Sequence, residues 1–502
     1  MPKEFARLQA QNLGKVGATQ DLLRGIEKIL SKPSKTDNIQ HVARSAIRDI
    51  ENEKNKRIVE NSVSLGVVAL NNGETKQAIR YFEDALRLDS ECIGAYLGLI
   101  RSFDEQKKVA TYLKKVKATP LTKIIECVKT HKDILGNPEH NNTLLERSIR
   151  FMQWPELALA LIDIGADAKA KHVLFYAAIE LKNVEVVRKL LDHGANAKET
   201  YYWKESTTSY FREENYSLLS QAITYGIDFE IIKALVEAGA DVNYVSEKKG
   251  VFPGQHTKSF SMLNAAIRNN DYALAEYLLQ HGANPNKGRT FSISYEVREC
   301  DHSLLMEYSN LSETIWNTKN KDMLLLLIKY GADINQVCRC DTYTVEDGKY
   351  SKKYTDTGKS YCTALSDAIL FSNDSEYVQI LLKAGANPHT VYRFHTPGWS
   401  EKLTGYACKN QYESILPVLG LTIQKGRMDV LEMLIKAGAS FEDPVTYRYY
   451  EDRKLFSDQF PLRVMSFDAN VITPIRTPLQ KYGWKGSRAG LFRREHTCYF
   501  SW

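Results

Sequence analysis

The chain has 502 residues, too many for one ordinary domain and enough for several domains or a repeat array. Its 43% hydrophobic and 25% charged content is that of a soluble globular protein, and a net charge of +6 over this length does not point to nucleic acid. Eight irregularly spaced cysteines exclude a small disulfide scaffold; with no apolar signal core in residues 1–15 and no run of about 18 apolar residues, a reducing, cytoplasmic setting is expected.

Residues 1–58 read as a helical region that includes HVARSAIRDI (41–50). Residues 59–139 read as a helical bundle with bridging helices. Gly66, Ala69 and Ala78 are small enough to let two antiparallel helices touch, and Phe82 fills the space between them. With Leu65 and Ala85, this pattern resembles a tetratricopeptide (TPR) repeat. GAYLGLIRSF (94–103) begins a second helix pair, and TPLTKIIECVKTHKDIL (119–135) leads to the next segment. One such repeat cannot bury its own faces, so flanking helices are expected to cover it.

From residue 140 to 445 one phrase recurs: an apolar helical stripe, then Gly-Ala and usually Asp or Asn. The glycines are Gly165, Gly194, Gly239, Gly282, Gly331, Gly385 and Gly438. Glycine suits the left-handed position that ends a helix, and the Asp or Asn favours a turn. Upstream stand YSLLSQAI (216–223), FSMLNAAI (260–267) and CTALSDAI (362–369), where a Ser or Thr caps a first helix. With Thr363 as cap, Leu365, Ala368 and Ile369 fall on the buried side. The seven units resemble ankyrin repeats, although none keeps that family's full opening motif. The resemblance implies stacked antiparallel helix pairs and a protein-binding role.

Ankyrin repeats have a period of about 33 residues. Here successive glycines lie 29, 45, 43, 49, 54 and 53 residues apart. The surplus falls between each turn and the next cap, in the family's fingers. Five fingers are therefore extended along one edge: 201–211, 244–256, 288–300, 338–362 and 390–406. They carry Tyr202, Trp203, Phe211, Phe252, Phe291, Tyr295, Tyr343, Phe394, Trp399 and Tyr406. These aromatics either brace the fingers against one another or form a binding surface rich in hot-spot residue types, and a braced ledge would do both.

Other chemistry is thinner. Gly358-Lys359-Ser360 matches the end of a phosphate loop, but Lys353 stands where its first glycine belongs and no apolar strand precedes it. Cys338, Cys340 and Cys362 could ligate zinc only with a fourth group such as His389, His395 or Cys408; reduced thiols are the reading taken. Cys300-Asp301-His302 places reactive types side by side without a geometry for catalysis, and no common hydrolase, kinase or dinucleotide motif occurs. Residues 446–502 read as a degenerate cap with TPLQ (477–480) and a basic tail: Lys481, Lys485, Arg488, Arg493 and Arg494 either stay solvated or touch an anion.

The expectation is an all-α solenoid of ankyrin-like repeats with extended fingers, preceded by a TPR-like bundle. Its expected function is non-enzymatic: a monomeric scaffold or adaptor holding a protein partner by the groove and fingers, without metal or cofactor, membrane or nucleic acid. The alternatives are a host-directed effector using the same surface, or an enzyme or nucleic-acid binder acting through the cysteines or the basic tail.

Overall fold

The computed structural model describes residues 24, 37–138, 142–206, 211–250, 255–297, 300–347, 352–396, 411–451, 454–464 and 476–485. The chain divides into two compact units, Met1–Asn196 and Ala197–Trp502.

The first unit is helical. A long helix α1 (Asp37–Asn71) packs on α2 (Thr75–Leu88), followed by α3 (Ile93–Ser102), α4 (Gln106–Ala118) and α5 (Leu121–Thr130). Phe82 of α2 is completely buried between two glycines. A Cβ at Gly66 would stand 2.6 Å from its ring, and one at Gly98 would overlap it. The helices approach because those positions carry no side chain. Arg101, at the end of α3, is also buried, and its guanidinium bonds the carbonyls of Asn142 (2.8 Å) and Ile134 (3.1 Å) and the side chain of Asn71 (2.8 Å). Burial, with Arg147 nearby, lowers its pKa to about 10. The charge is a structural clamp. Two helix pairs complete this unit: α6 (Leu144–Arg150) with α7 (Pro155–Asp163), and α8 (Val173–Phe175), which widens into a π-helical turn over Tyr176–Leu181, with α9 (Val184–Asp192).

Among the described residues the second unit continues the rhythm with five helix pairs. These are α10 (Leu218–Thr224) and α11 (Phe229–Glu237), α12 (Met262–Arg268) and α13 (Tyr272–Gln280), and α14 (Asn310–Glu313, extended by a π turn over Thr314–Thr318) and α15 (Lys321–Lys329). Then come α16 (Ala364–Phe371) and α17 (Glu376–Lys383), and α18 (Val418–Gln424) and α19 (Met428–Lys436). A short helix α20 (Arg476–Lys481) lies in the TPLQ segment. The expected caps form: Ser217, Ser261 and Thr363 accept the N–H of Ser220 (3.1 Å), Asn264 (3.1 Å) and Ser366 (3.4 Å). All seven repeat glycines have φ between +82° and +110°.

The all-α expectation is wrong. The fingers are strands of one antiparallel sheet, whose twelve strands among the described residues run in sequence order. They are β1 (Thr200–Ser206), β2 (Phe211–Ser217), β3 (Val245–Gly250), β4 (Gln255–Ser261), β5 (Arg289–Val297) and β6 (Cys300–Tyr308). β7 (Cys338–Asp347), β8 (Lys352–Cys362), β9 (Val391–Thr396), β10 (Gln411–Pro417), β11 (Pro444–Glu451) and β12 (Lys454–Pro461) follow. The reason is dimensional. Packed helices lie about 8–10 Å apart, and a two-stranded finger is two strand spacings of about 4.8 Å wide. Long fingers on stacked helix pairs therefore reach pairing distance, and their unsatisfied edges join. The last hairpin, β11–β12, is a sixth extended finger beyond the five read from the sequence.

Candidate docking face on the finger sheet

Residues directly opposite in an antiparallel ladder share a face of the sheet. Following the register across every pair yields one row with a residue from each strand. It runs Trp203, Glu214, Lys248, Lys258, Phe291, Met306, then Cys340, Ser360, Phe394, Ser414, Tyr447 and Asp458. The strand period of two puts Tyr201, Tyr216, Phe260, Tyr308, Cys338, Cys362, Tyr392, Leu416 and Val445 on the same face, nearer the helices. There Tyr201, Cys338, Cys362, Tyr392, Leu416 and Val445 are buried. Tyr295, opposite His302, also belongs to this face.

The other face is mixed: Tyr202, Val245 and Val391 are exposed on it beside ion pairs and polar bonds. Lys249 pairs with Glu247 (3.3 Å) and Glu213 (3.7 Å), and Ser259 bonds Thr290 (2.6 Å).

Farther from the helices, at Trp203, the face of this row opens to solvent. Trp203 remains 40% exposed, with the Arg212 guanidinium 5.5 Å from its ring centroid. Arg212 in turn pairs with Glu214, to which Lys248 also reaches (3.5 Å). Lys258 lies 5.4 Å over Phe291, and Arg289 stacks 4.1 Å over Tyr308 while bonding Glu313 at 2.9 Å. Of the cations beside these rings, Arg212 and Arg289 are themselves held by Glu214 and Glu313. Such a surface is organised before any ligand arrives, which lowers the ordering cost of binding.

Of the aromatics singled out from the sequence, Trp203, Phe291 and Phe394 lie in this row, and Tyr295 shares its face by register. Tyr202 and Phe211 fall on the opposite face, Tyr202 57% exposed and Phe211 beneath Lys204. Tyr343 stands opposite Asp356, just past a register shift. Phe252, Trp399 and Tyr406 lie outside the described residues. Lys258, Arg289 and Met306 were missed, although the alternation in Thr290-Phe291-Ser292-Ile293-Ser294-Tyr295 was a visible strand signal.

Residues 174–289 match the ankyrin-repeat family, in three copies. No curated protein matches the chain. The match covers the repeats that carry β1–β4 and so bears on the part of the face where Trp203 lies. Ankyrin repeats are protein-interaction modules, and that is what the family match supports here.

The remaining sequence candidates resolve differently. Gly358-Lys359-Ser360 is extended strand in β8, opposite Thr342, Asp341 and Cys340, and makes no phosphate-cradling turn. Cys338 and Cys362 are buried and Cys340 is half-buried; His389 bonds Asp443 at 2.8 Å, and Cys408 is outside the described residues. Among the described residues no group of three or more His, Cys, Asp or Glu is arranged to hold a metal ion. Lys481 and Lys485 are exposed beside a buried Trp484, whereas Arg488, Arg493 and Arg494 lie outside the described residues. No described helix is long and apolar enough to cross a membrane.

Proposed function

We propose that this chain is a cytoplasmic, non-enzymatic adaptor that holds a protein partner against the face of its finger sheet that carries the register row. The observation that carries the reading is the register row: the exposed Trp203, the half-buried Phe291 and their flanking cations share one face of a sheet anchored on helix pairs. Large aromatic and arginine side chains on a rigid support are the residue types that dominate protein-interface energetics. The helices pack as scaffold and the fingers give specificity. The TPR-like helices around Phe82 would offer a second protein-binding module, and the adaptor role follows from having two.

The test is affinity capture from source-cell lysate with quantitative mass spectrometry. The comparison bait carries Trp203→Ala and Phe291→Ala, with its fold checked by circular dichroism. A partner retained by the native chain and depleted by the variant identifies the face as the docking site. Each truncation should cost about 2 kcal/mol, or roughly thirtyfold in affinity, if these rings are hot spots. Identical partner sets from both baits would overturn the reading and move recognition to the helices.

A further inference from the structure

The hairpin β7–β8 carries three cysteines at its base. Cys338 stands opposite Cys362 and Cys340 opposite Ser360, so all three share one face, with Cys340 and Cys362 on a diagonal of the ladder. The Sγ atoms of Cys340 and Cys362 are 3.7 Å apart. The Cys362 thiol also lies 3.7 Å from the Cys338 carbonyl oxygen. Cys338 and Cys362 are each only 3% exposed, whereas Cys340 is half-buried. None of the three is in a disulfide. The arrangement pairs a sulfur within reach of a small solute with a sheltered one in van der Waals contact.

We propose that Cys340 and Cys362 are a redox-modification site, closing to a cross-strand disulfide when the protein meets a hydroperoxide. Cys340 is the sulfur that reacts first. Its thiolate attacks one peroxide oxygen, the O–O bond breaks, and the departing oxygen leaves as water with the proton the thiol gave up. Cys340 is then a sulfenic acid. The Cys362 sulfur attacks the Cys340 sulfur, the S–S bond forms and the S–O bond breaks. The hydroxide departs as a second water with the Cys362 proton. One hydrogen peroxide is reduced to two waters while two thiols are oxidised to one disulfide.

The geometry sets this order. Cys362 is sheltered, and the Cys340 contact and burial hold its thiol well above the ordinary value, so it is a poor first nucleophile. Burial likewise pushes the Cys338 thiol up to about 12. Bonding needs an S–S length of about 2.05 Å and Cα atoms within about 7 Å, so closure of this diagonal pair takes side-chain rotation together with a small shift of one strand against the other. The new bond would tie the two arms of this finger together at the middle of the register row. The proposal stands on the thiols alone and does not require a docked partner.

The experiment uses the purified full chain, hydrogen peroxide as the probe, blocking of remaining thiols, and non-reducing tryptic peptide mapping by mass spectrometry. Arg339 lies between Cys338 and Cys340, so trypsin can separate the two candidate partners of Cys362. The expected result is a peptide pair joined through Cys340 and Cys362 and released by dithiothreitol. It should persist in Cys338→Ser and vanish in Cys340→Ser. Cys362→Ser should instead leave Cys340 as a sulfenic acid that dimedone traps. A Cys338–Cys362 cross-link would overturn the proposal, as would native chain in which Cys340 passes to sulfinic acid with no cross-link.

Discussion

The side-chain oxygen of Asn335 accepts the backbone N–H of Asn387 at 2.8 Å, joining two turns 52 residues apart in sequence. Its amide also donates to the Gly385 carbonyl at 3.2 Å. Asn243 repeats the arrangement, accepting from the Asn284 N–H at 2.8 Å and donating to the Gly282 carbonyl at 2.9 Å. Between them Asn286 accepts from the Asp333 N–H at 2.7 Å. At these three repeats the Asn four residues after the glycine thus stitches its turn to the next one.

Asn335→Ala removes both bonds and leaves the exposed partners to water. A net loss of about 1–2 kcal/mol is expected, at about 1 kcal/mol per neutral hydrogen bond. Hydrogen exchange at the Asn387 amide is the local readout, and it should accelerate while the Asn284 amide stays unchanged. Asn335→Asp keeps the acceptor and should protect Asn387 nearly as well as the native residue. Equal protection at Asn387 in the alanine variant would show that the stitch carries no stability.

In the first unit, Gly98→Ala should destabilise by about 1–3 kcal/mol, the usual cost of forcing a methyl into a packed core. The new methyl overlaps the Phe82 ring, which Gly66 of α1 blocks from moving the other way. Adding Phe82→Leu frees volume, so the double variant should recover part of the loss. Urea denaturation of the three proteins checks this. A double variant less stable than the sum of the single changes would mean that the ring is not the obstacle.

These two regions show what could be read from residues alone. The repeat glycines and their caps depend on backbone within a few residues, so local sequence was enough. Leu365, Ala368 and Ile369 are buried as the Thr363 cap implies. The small residues around Phe82 were also legible, because helix contacts recur at fixed spacing. The finger sheet was not, because each interfinger partner lies tens of residues away and pairs only once the helices have set the spacing between fingers. Lys258 meets Phe291, and Met306 meets Cys340, through register. For the same reason three thiols that looked like an incomplete metal site became a contacting pair and a buried neighbour.

Asp367, in the first turn of α16, is the clearest source of pH dependence. It is buried beneath β8 beside Cys362, Ser312 and Trp316, and burial pushes its carboxyl up to about 7 even though those neighbours pull the other way. In the unfolded chain the same group titrates near 3.8. The folded state therefore binds this proton more tightly. Its contribution is fully present below the unfolded value and is lost as pH rises toward 7. The loss is on the order of 4 kcal/mol, at about 1.4 kcal/mol per pH unit between the two values. Asp367→Asn removes the titration while keeping the shape. The difference in unfolding free energy, variant minus native, should grow in the variant's favour from pH 4 to pH 7 and level off above it. Other carboxylates act on both proteins and cancel in that difference. A difference that is flat with pH would mean that the neighbours of Asp367 offset its burial, and one that falls as pH rises would mean that they outweigh it and make it a stabilised carboxylate in the folded chain.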